Sequence, residues 1–396
     1  MNEKDIVIVS AVRTPIGRFG GTLREVNAFE LGAAAMDAAL KRAGLDPSAV
    51  SEVLSGMCRQ AGNGPNPARS AALLAGIPAD VPAATINMAC PSGMKTLLLA
   101  ADTLRAGNAD VCLCGGMDSM STIPHLVRGL RFKPKKMGDL AIEDGWKDAT
   151  DPIAQTTMGD CAERLARERG ISRADQDACA LESHRRATAA ATSGGFDAEL
   201  VPLSLPAAFG HGPVALTADE TPRPDTTIER LAALPPAFAP DGSVTAGNSS
   251  AMSDGACALV VMTRSEAIRR GCAPLARLVA GVSIAVDGAF MGDGPSRSIP
   301  AVLHRAGMTL ADMDLIEVNE AFAVQMLANE RALSWNRERV NVHGGAIALG
   351  HPTGISGARI VVTLLHALRA RNGRFGLAAI CGAGGVSTAL IVEREG

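Results

Sequence analysis

The 396-residue sequence has nine cysteines but no C-x-x-C pair. No further Cys or His stands at the short spacing that a zinc site needs, so neither structural metal nor dithiol redox chemistry is suggested. Scattered cysteines in odd number fit a reduced, intracellular and cytoplasmic setting. No stretch approaches about 18 uninterrupted apolar residues, so no membrane span is expected. The opening "MNEKDIVIVSAVRTPIG" carries acidic residues early and reads as a first strand, not a signal peptide. The net charge is only −3, so no bulk positive charge points to a nucleic-acid partner.

What is present is apolar: hydrophobic residues make up 47% and charged residues 20%, enough for a large buried core. Short strand-like runs alternate with helical stretches through the first third. Strands are expected at Asp5–Val12, Glu52–Met57, Ala83–Met88 and Asp110–Gly115, and helices at Phe29–Ala43, Asn66–Ala75 and Ser92–Arg105. Alternation of this kind argues for a layered α/β architecture. The Ser92–Arg105 stretch is apolar nearly all round, as a helix buried on every side would be. Cys112 and Cys114 share one face of their strand, where a core position is the better reading.

The texture changes between Ser119 and Gly247. Prolines, glycines and charges are frequent and strands are hard to find, although helices are expected at Met158–Arg169 and from Ser172, capped with Asp175, to Thr192. This stretch reads as an insertion or lid. Alternation then resumes. Strands are expected at Ala256–Met262, Ala276–Val286, Leu315–Val318, Leu377–Cys381 and Thr388–Val392. Helices are expected at Ile299–Ala306, Ala321–Leu333 and Gly357–Arg371.

Two stretches share one design. Cys90-Pro91-Ser92-Gly93 opens a helix that ends "LRAGN", followed by a strand and "CGGMDS". His351-Pro352-Thr353-Gly354 opens a helix that ends "LRARN", followed by a strand and "CGAGGVS". Matched features in the same order imply an internal duplication. Halves related by a pseudo-two-fold would bring Cys90 and His351 to equivalent helix starts facing one site. A helix N-terminus is expected to lower the thiol pKa, with Cys90 as N-cap and Pro91 at the first helical position. His351 would then take the thiol proton. A lone cysteine is more often a core residue, but the duplicated turn and the partner histidine favour a nucleophile. Cys381 ends a strand and enters the Gly382–Gly385 turn, where acid–base work suits it better than disulfide exchange.

These residues resemble the thiolase family nearly end to end. The resemblance rests on "VRTPIGRFGG", "INMACPSGMK", "GNSSAMSDGACAL", "NEAFA", "NVHGGAIALGHPTGISGARI" and the terminal "CGAGG". It implies a five-layer αβαβα sandwich of two duplicated halves with an inserted loop domain. On this sequence, residues 1–118 with 248–270 form the first half, 119–247 the loop domain, and 271–396 the second half. The implied activity is thiolytic cleavage of a 3-ketoacyl-CoA, and the reverse Claisen condensation, through an acyl-cysteine. Coenzyme A enters as substrate, and no cofactor or metal is implied. By resemblance, Cys90 carries the acyl group, His351 activates it, and Cys381 exchanges the substrate α-proton. Asn319 would hold the water that, with His351, completes one oxyanion hole, and the backbone N–H groups of Cys90 and Ala383 would form the other.

For the coenzyme A arm, Arg223, Ser250, Ala246, Met158, Met291 and Phe322 match family positions. The basic run "RGLRFKPKK", Arg128 to Lys136, is a candidate for the 3′-phosphate. A homodimer or homotetramer is the family expectation, and an accessory subunit is an open alternative. Four positions depart from the family pattern. Pro91 follows the nucleophile in place of a small residue, Ala383 stands for a glycine, and His343 stands for an asparagine. Thr157 stands for the histidine of biosynthetic acetoacetyl-CoA thiolases, which leans towards cleavage of a longer or unusual substrate. The rival readings are an acetoacetyl-CoA-forming thiolase, a ketoacyl synthase of the same superfamily, and a non-catalytic scaffold on the same fold.

Overall fold

The computed structural model describes residues 2–132, 137–146 and 150–395. The strands among them are β1 (Ile6–Arg13), β2 (Gly17–Arg18), β3 (Glu52–Gly56), β4 (Ala83–Ile86), β5 (Val111–Ser119), β6 (Leu203–Leu205), β7 (Val214–Leu216), β8 (Ser253–Thr263), β9 (Ala276–Ala285), β10 (Leu315–Val318), β11 (Phe375–Cys381) and β12 (Val386–Arg394). The helices are α1 (Ala28–Ala43), α2 (Pro67–Leu74), α3 (Ser92–Arg105), α4 (Met158–Arg169), α5 (Arg173–Thr192), α6 (Ile228–Ala232), α7 (Arg264–Arg270), α8 (Gly294–Ala306), α9 (Ala323–Leu333), α10 (Ala346–Leu349) and α11 (Thr353–Ala370).

Strand pairing displays the duplication. The order across the sheet is β10-β11-β12-β9-β1-β8-β5-β3-β4, with β2 beside β8. Outward from the β9–β1 boundary, each side makes two antiparallel pairings and then a parallel one: β9–β12, β12–β11 and β11–β10 on one side, β1–β8, β8–β5 and β5–β3 on the other. A pseudo-two-fold axis between β9 and β1 produces this symmetry. The half-sheets are not fully separate. Val7 pairs with Arg277 and Ile8 with Ala276, which joins them along one edge.

The alternation of strand side chains sorts the layers. Val7, Val53, Val111 and Leu113 face outward onto α1 and α2. Ile6, Ile8, Cys112, Cys114 and Leu259 face inward onto α3 and α11, as do Ile380 and Leu390 from the other half. The outer face of the second half, with Val282, Ile316 and Ile391, packs on α8 through Ile299, Val302 and Leu303. Five layers result: helix, sheet, helix pair, sheet, helix. Cys112 and Cys114 are core residues, as read from the sequence.

The central helices touch through glycine. A Cβ on Gly357 would lie 2.8 Å from the Met94 backbone nitrogen. One on Gly93 would lie 2.9 Å from the Gly354 carbonyl oxygen and 3.0 Å from the Ala358 Cβ. Backbone meets backbone here, so the two helix starts sit together.

Some boundaries differ from expectation. α8 begins at Gly294, ahead of Ile299, because Pro295 falls in the first turn, where a missing N–H costs nothing. α11 begins at Thr353, ahead of Gly357. The inserted segment holds a small β6–β7 hairpin that its composition concealed. The short helices α6 and α7 were also not anticipated. The segment is tied down by charge: buried Arg13 of β1 pairs with Asp219 at 2.7 Å and with buried Glu199.

The helix contact generates a stability prediction. Ala is the better helix former by up to about 1 kcal/mol, but overpacking a tight contact costs about 1–3 kcal/mol. Gly357→Ala should therefore lower the urea unfolding midpoint with the slope unchanged. An equal or higher midpoint would show that the helices do not meet so closely.

Candidate active site

The N-terminal ends of α3 and α11 open on a cavity of about 420 Å³. Cys90, His351, Cys381 and Ala383 line it, brought together from positions far apart in the chain. Ser250, Met158, Met291 and Phe322 line it too.

Cys90 lies one residue further out than expected. Pro91 is the N-cap of α3 and Pro352 that of α11, so Cys90 and His351 each precede the cap. Before Cys90, Ala89 adopts φ 53°, a left-handed conformation that costs a residue with a Cβ about 1 kcal/mol or more. Asn87 accepts from the Ala89 N–H at 3.0 Å, and the Ala89 carbonyl accepts from the Ser92 N–H at 3.0 Å. This bend presents the half-buried Cys90 to the cavity. The Pro91 ring lies where a Cβ on Gly382 would have to go, so proline here is matched by glycine opposite.

The expectation of an acidified thiol is corrected. Burial pushes Cys90 up to about 11. The backbone N–H groups of Ala383 and Cys90 and the charge of Arg59 work in the other direction without prevailing. Burial, with a smaller part from the charge of Arg359, takes His351 down to about 3. The free site therefore holds a neutral thiol and a neutral imidazole. The imidazole Nδ1 lies 2.6 Å from Ser356 Oγ, which donates to the Pro352 carbonyl at 3.0 Å. Every donor is satisfied when Nδ1 carries the proton and donates to Ser356, which leaves the Nε2 lone pair free as a base.

Asp118 organises the floor of the site and was not singled out in the sequence. Its carboxylate, fully buried at the end of β5, accepts from Thr353 Oγ1 at 2.9 Å and from the Gly354 N–H. Pro352 offers no side-chain cap to α11, and Asp118 supplies one from the other half of the molecule. The same carboxylate accepts from the N–H groups of Cys58 (3.3 Å) and Arg59 (3.2 Å). An aspartate inside a glycine-rich strand carried no pattern that would have marked it.

Cys381 is buried at the end of β11, and burial and then the nearby Cys90 raise its pKa. Gly384 (φ 77°) and Gly385 (φ 80°) make the turn that follows. Ala383 is not among the residues with positive φ, so alanine is accepted there without strain. Asn319 does not line the cavity. It is fully buried, and both polar atoms of its amide lack a protein partner. A buried amide in that condition suits an ordered water.

Ala246 and Arg223 are exposed and lie outside the cavity. Of the basic run, Lys133, Lys135 and Lys136 fall outside the described residues. Thr157 lines the cavity as the N-cap of α4, in a reciprocal box with Asp160. His343 packs edge-on against Phe196 with ring centroids 5.7 Å apart. Cys58, Arg59 and Trp146 also line the cavity, and sequence reasoning missed all three. Among the described residues no group of three or more His, Cys, Asp or Glu could hold a metal ion, and no helix is long and apolar enough to cross a membrane.

Known proteins of the same build place the chain. The family model for the thiolase N-terminal domain matches residues 6–265, and that for the thiolase C-terminal domain matches 272–394. The acetyl-CoA acetyltransferase of Cupriavidus necator is 46% identical over 395 residues, covering 99% of this chain and 100% of that protein. The crystal structure of the Bacillus anthracis acetyl-CoA acetyltransferase superposes with a TM-score of 0.96 at 42% identity, covering 99% of each chain. That of human mitochondrial 3-ketoacyl-CoA thiolase in complex with CoA gives 0.95 at 40% identity, covering 100% of this chain and 99% of the other.

Two outcomes are expected from this geometry. With the Cys90 thiol at about 11, its alkylation by iodoacetamide should rise about tenfold per pH unit through pH 9. A plateau below pH 8 would reveal a thiolate–imidazolium pair instead. Ser356→Ala should lower kcat about tenfold or more by freeing the tautomer of His351, while KM changes little. An unchanged kcat would remove Ser356 from the machinery.

Proposed function

Since the chain belongs to the thiolase family, we infer that it is an acyltransferase that cleaves a 3-ketoacyl-CoA with coenzyme A and runs the reverse Claisen condensation. The observation that carries the residue roles is the convergence of Cys90, His351, Cys381 and Ala383 on one cavity.

In thiolysis, the Cys90 sulfur attacks the C3 carbonyl and its proton passes to Nε2 of His351. The backbone N–H groups of Cys90 and Ala383 receive the developing oxyanion, a role supported by their approach to the sulfur. The C2–C3 bond breaks, and the enolate of acetyl-CoA takes a proton from Cys381. Asn319, through a water, and His351 stabilise that enolate. Coenzyme A then gives its thiol proton to the Cys381 thiolate and attacks the acyl group on Cys90, and the departing Cys90 sulfur takes back the proton held by His351.

The two thiols suit this order. A charge on Cys90 raises the cost of ionising Cys381, so Cys381 keeps its proton while Cys90 is charged. Acylation of Cys90 removes that charge. Cys381 is then easier to ionise, which is what the base of the condensation direction requires. A neutral His351 is the form that accepts a thiol proton.

For the remaining organisation, we assign 1–118 with 248–270 and 271–396 as the two halves and 119–247 as the loop domain. Ser250, Met158, Met291 and Phe322 would line the pantetheine arm, and Arg223 and Ala246 its outer end. A homo-oligomer is supported by the exposed apolar side chains Phe132, Met137, Ile142 and Ile153 of the inserted segment. A cytoplasmic setting fits nine cysteines, none of them in a disulfide.

Cys90→Ala should abolish coenzyme A-dependent loss of acetoacetyl-CoA. Cys381→Ala should still acylate Cys90 from acetyl-CoA, seen by mass spectrometry, while blocking carbon–carbon cleavage and formation. Near-normal thiolysis by the Cys381 variant would overturn its assigned role.

A further inference from the structure

One part of the cavity has no task in this chemistry. Arg59 and Trp146 both line it, and the guanidinium carbon stands 4.9 Å over the indole ring. Arg59 Nε and Trp146 Nε1 are both buried, and neither has a hydrogen-bond partner. Arg59 makes no ion pair with any described carboxylate. Asp118 is engaged by the backbone N–H of Arg59 and by Thr353 and Gly354. Two buried donors without an acceptor are costly, and a guanidinium carried over an aromatic ring is suited to receive a carboxylate.

The position of this pair decides which part of the substrate it meets. The Arg59 charge acts on the Cys90 sulfur, so the guanidinium stands near the reacting centre. The phosphates of coenzyme A lie at the far end of the pantetheine arm from the thioester. Arg59 and Trp146 come from the segment after β3 and from the inserted segment. The positions assigned to the pantetheine arm, Met158, Ser250, Met291 and Phe322, are other residues of the same cavity. What remains for Arg59 and Trp146 is the acyl chain.

We propose that Arg59 and the Trp146 indole N–H form a carboxylate subsite, so that the preferred substrate is a 3-oxoacyl-CoA whose acyl chain ends in a carboxylate. The inference rests on the thiolase reading and specifies its substrate class. After C2–C3 cleavage the portion left on Cys90 carries this carboxylate, which stays chemically unchanged while Arg59 and Trp146 hold it.

The test compares kcat/KM for coenzyme A-dependent cleavage of three thioesters: acetoacetyl-CoA, 3-oxohexanoyl-CoA and the CoA monothioester of 3-oxohexanedioic acid attached at the 3-oxo end. The wild-type enzyme should prefer the dicarboxylic thioester over its neutral counterpart of equal chain length. Arg59→Leu should cut the ratio of the two constants about 100-fold, and Trp146→Phe, which keeps the ring and removes the N–H, should cut it less. Using the ratio cancels any effect of Arg59 on Cys90 itself. Arg59→Lys should recover part of the ratio, because charge is restored without the fork. A wild-type enzyme that cleaves acetoacetyl-CoA or 3-oxohexanoyl-CoA but does not prefer the dicarboxylic thioester overturns the subsite and leaves the thiolase reading standing. A ratio unmoved by Arg59→Leu also overturns it. Failure to cleave any of the three overturns the thiolase reading itself, and the subsite with it.

Discussion

The backbone contact between the starts of the two central helices governs the rest of the structure. Gly93 and Gly357 let α3 and α11 approach until one backbone touches the other. Gly56 and Gly116, on the flanking strands, leave room for Gly93 and Gly354 in turn, since a Cβ on either would strike main-chain atoms. Any side chain at these points would push the helix starts apart. Cys90 and His351, each just ahead of its helix, would separate with them.

Burial that close has an electrostatic consequence. The same enclosure that aligns the helix ends removes the water that would ionise a thiol or an imidazole. Desolvation outweighs the helix-end N–H groups, so Cys90 and His351 are both neutral at rest. In the proposed chemistry, charge then appears only when a proton moves between partners, and the N–H groups of Cys90 and Ala383 would receive it. Burial raises the pKa of Asp118 as well, against the hydroxyl and N–H donors that face it. Asp118 caps α11 across the halves and anchors the Cys58–Arg59 backbone, so one carboxylate links the histidine helix to the wall that holds Arg59.

Much of this was legible in the chain. The alternation of strands and helices marked the layers, because a strand buried on both faces and a helix buried all round leave distinct apolar runs. The repeated Cys-Pro-Ser-Gly and His-Pro-Thr-Gly turns marked the pseudo-two-fold and with it the pair Cys90 and His351. Prolines obscured the start of α8, since proline tolerated in a first turn looks the same in sequence as proline that ends a helix. The β6–β7 hairpin was missed because its strands are three residues each and little buried.

By itself, the sequence determined the layered class and the duplication and singled out Cys90 and His351, since these depend on local pattern and on motifs that repeat in order. Only the tertiary structure decided the protonation of the site, because desolvation depends on what surrounds a group, and those neighbours are scattered along the chain. It also decided the roles of Asp118 and Ser356 and the meeting of Arg59 with Trp146. Hydrogen-bond partners and orphaned donors exist only once distant segments pack, and no spacing along the chain encodes them.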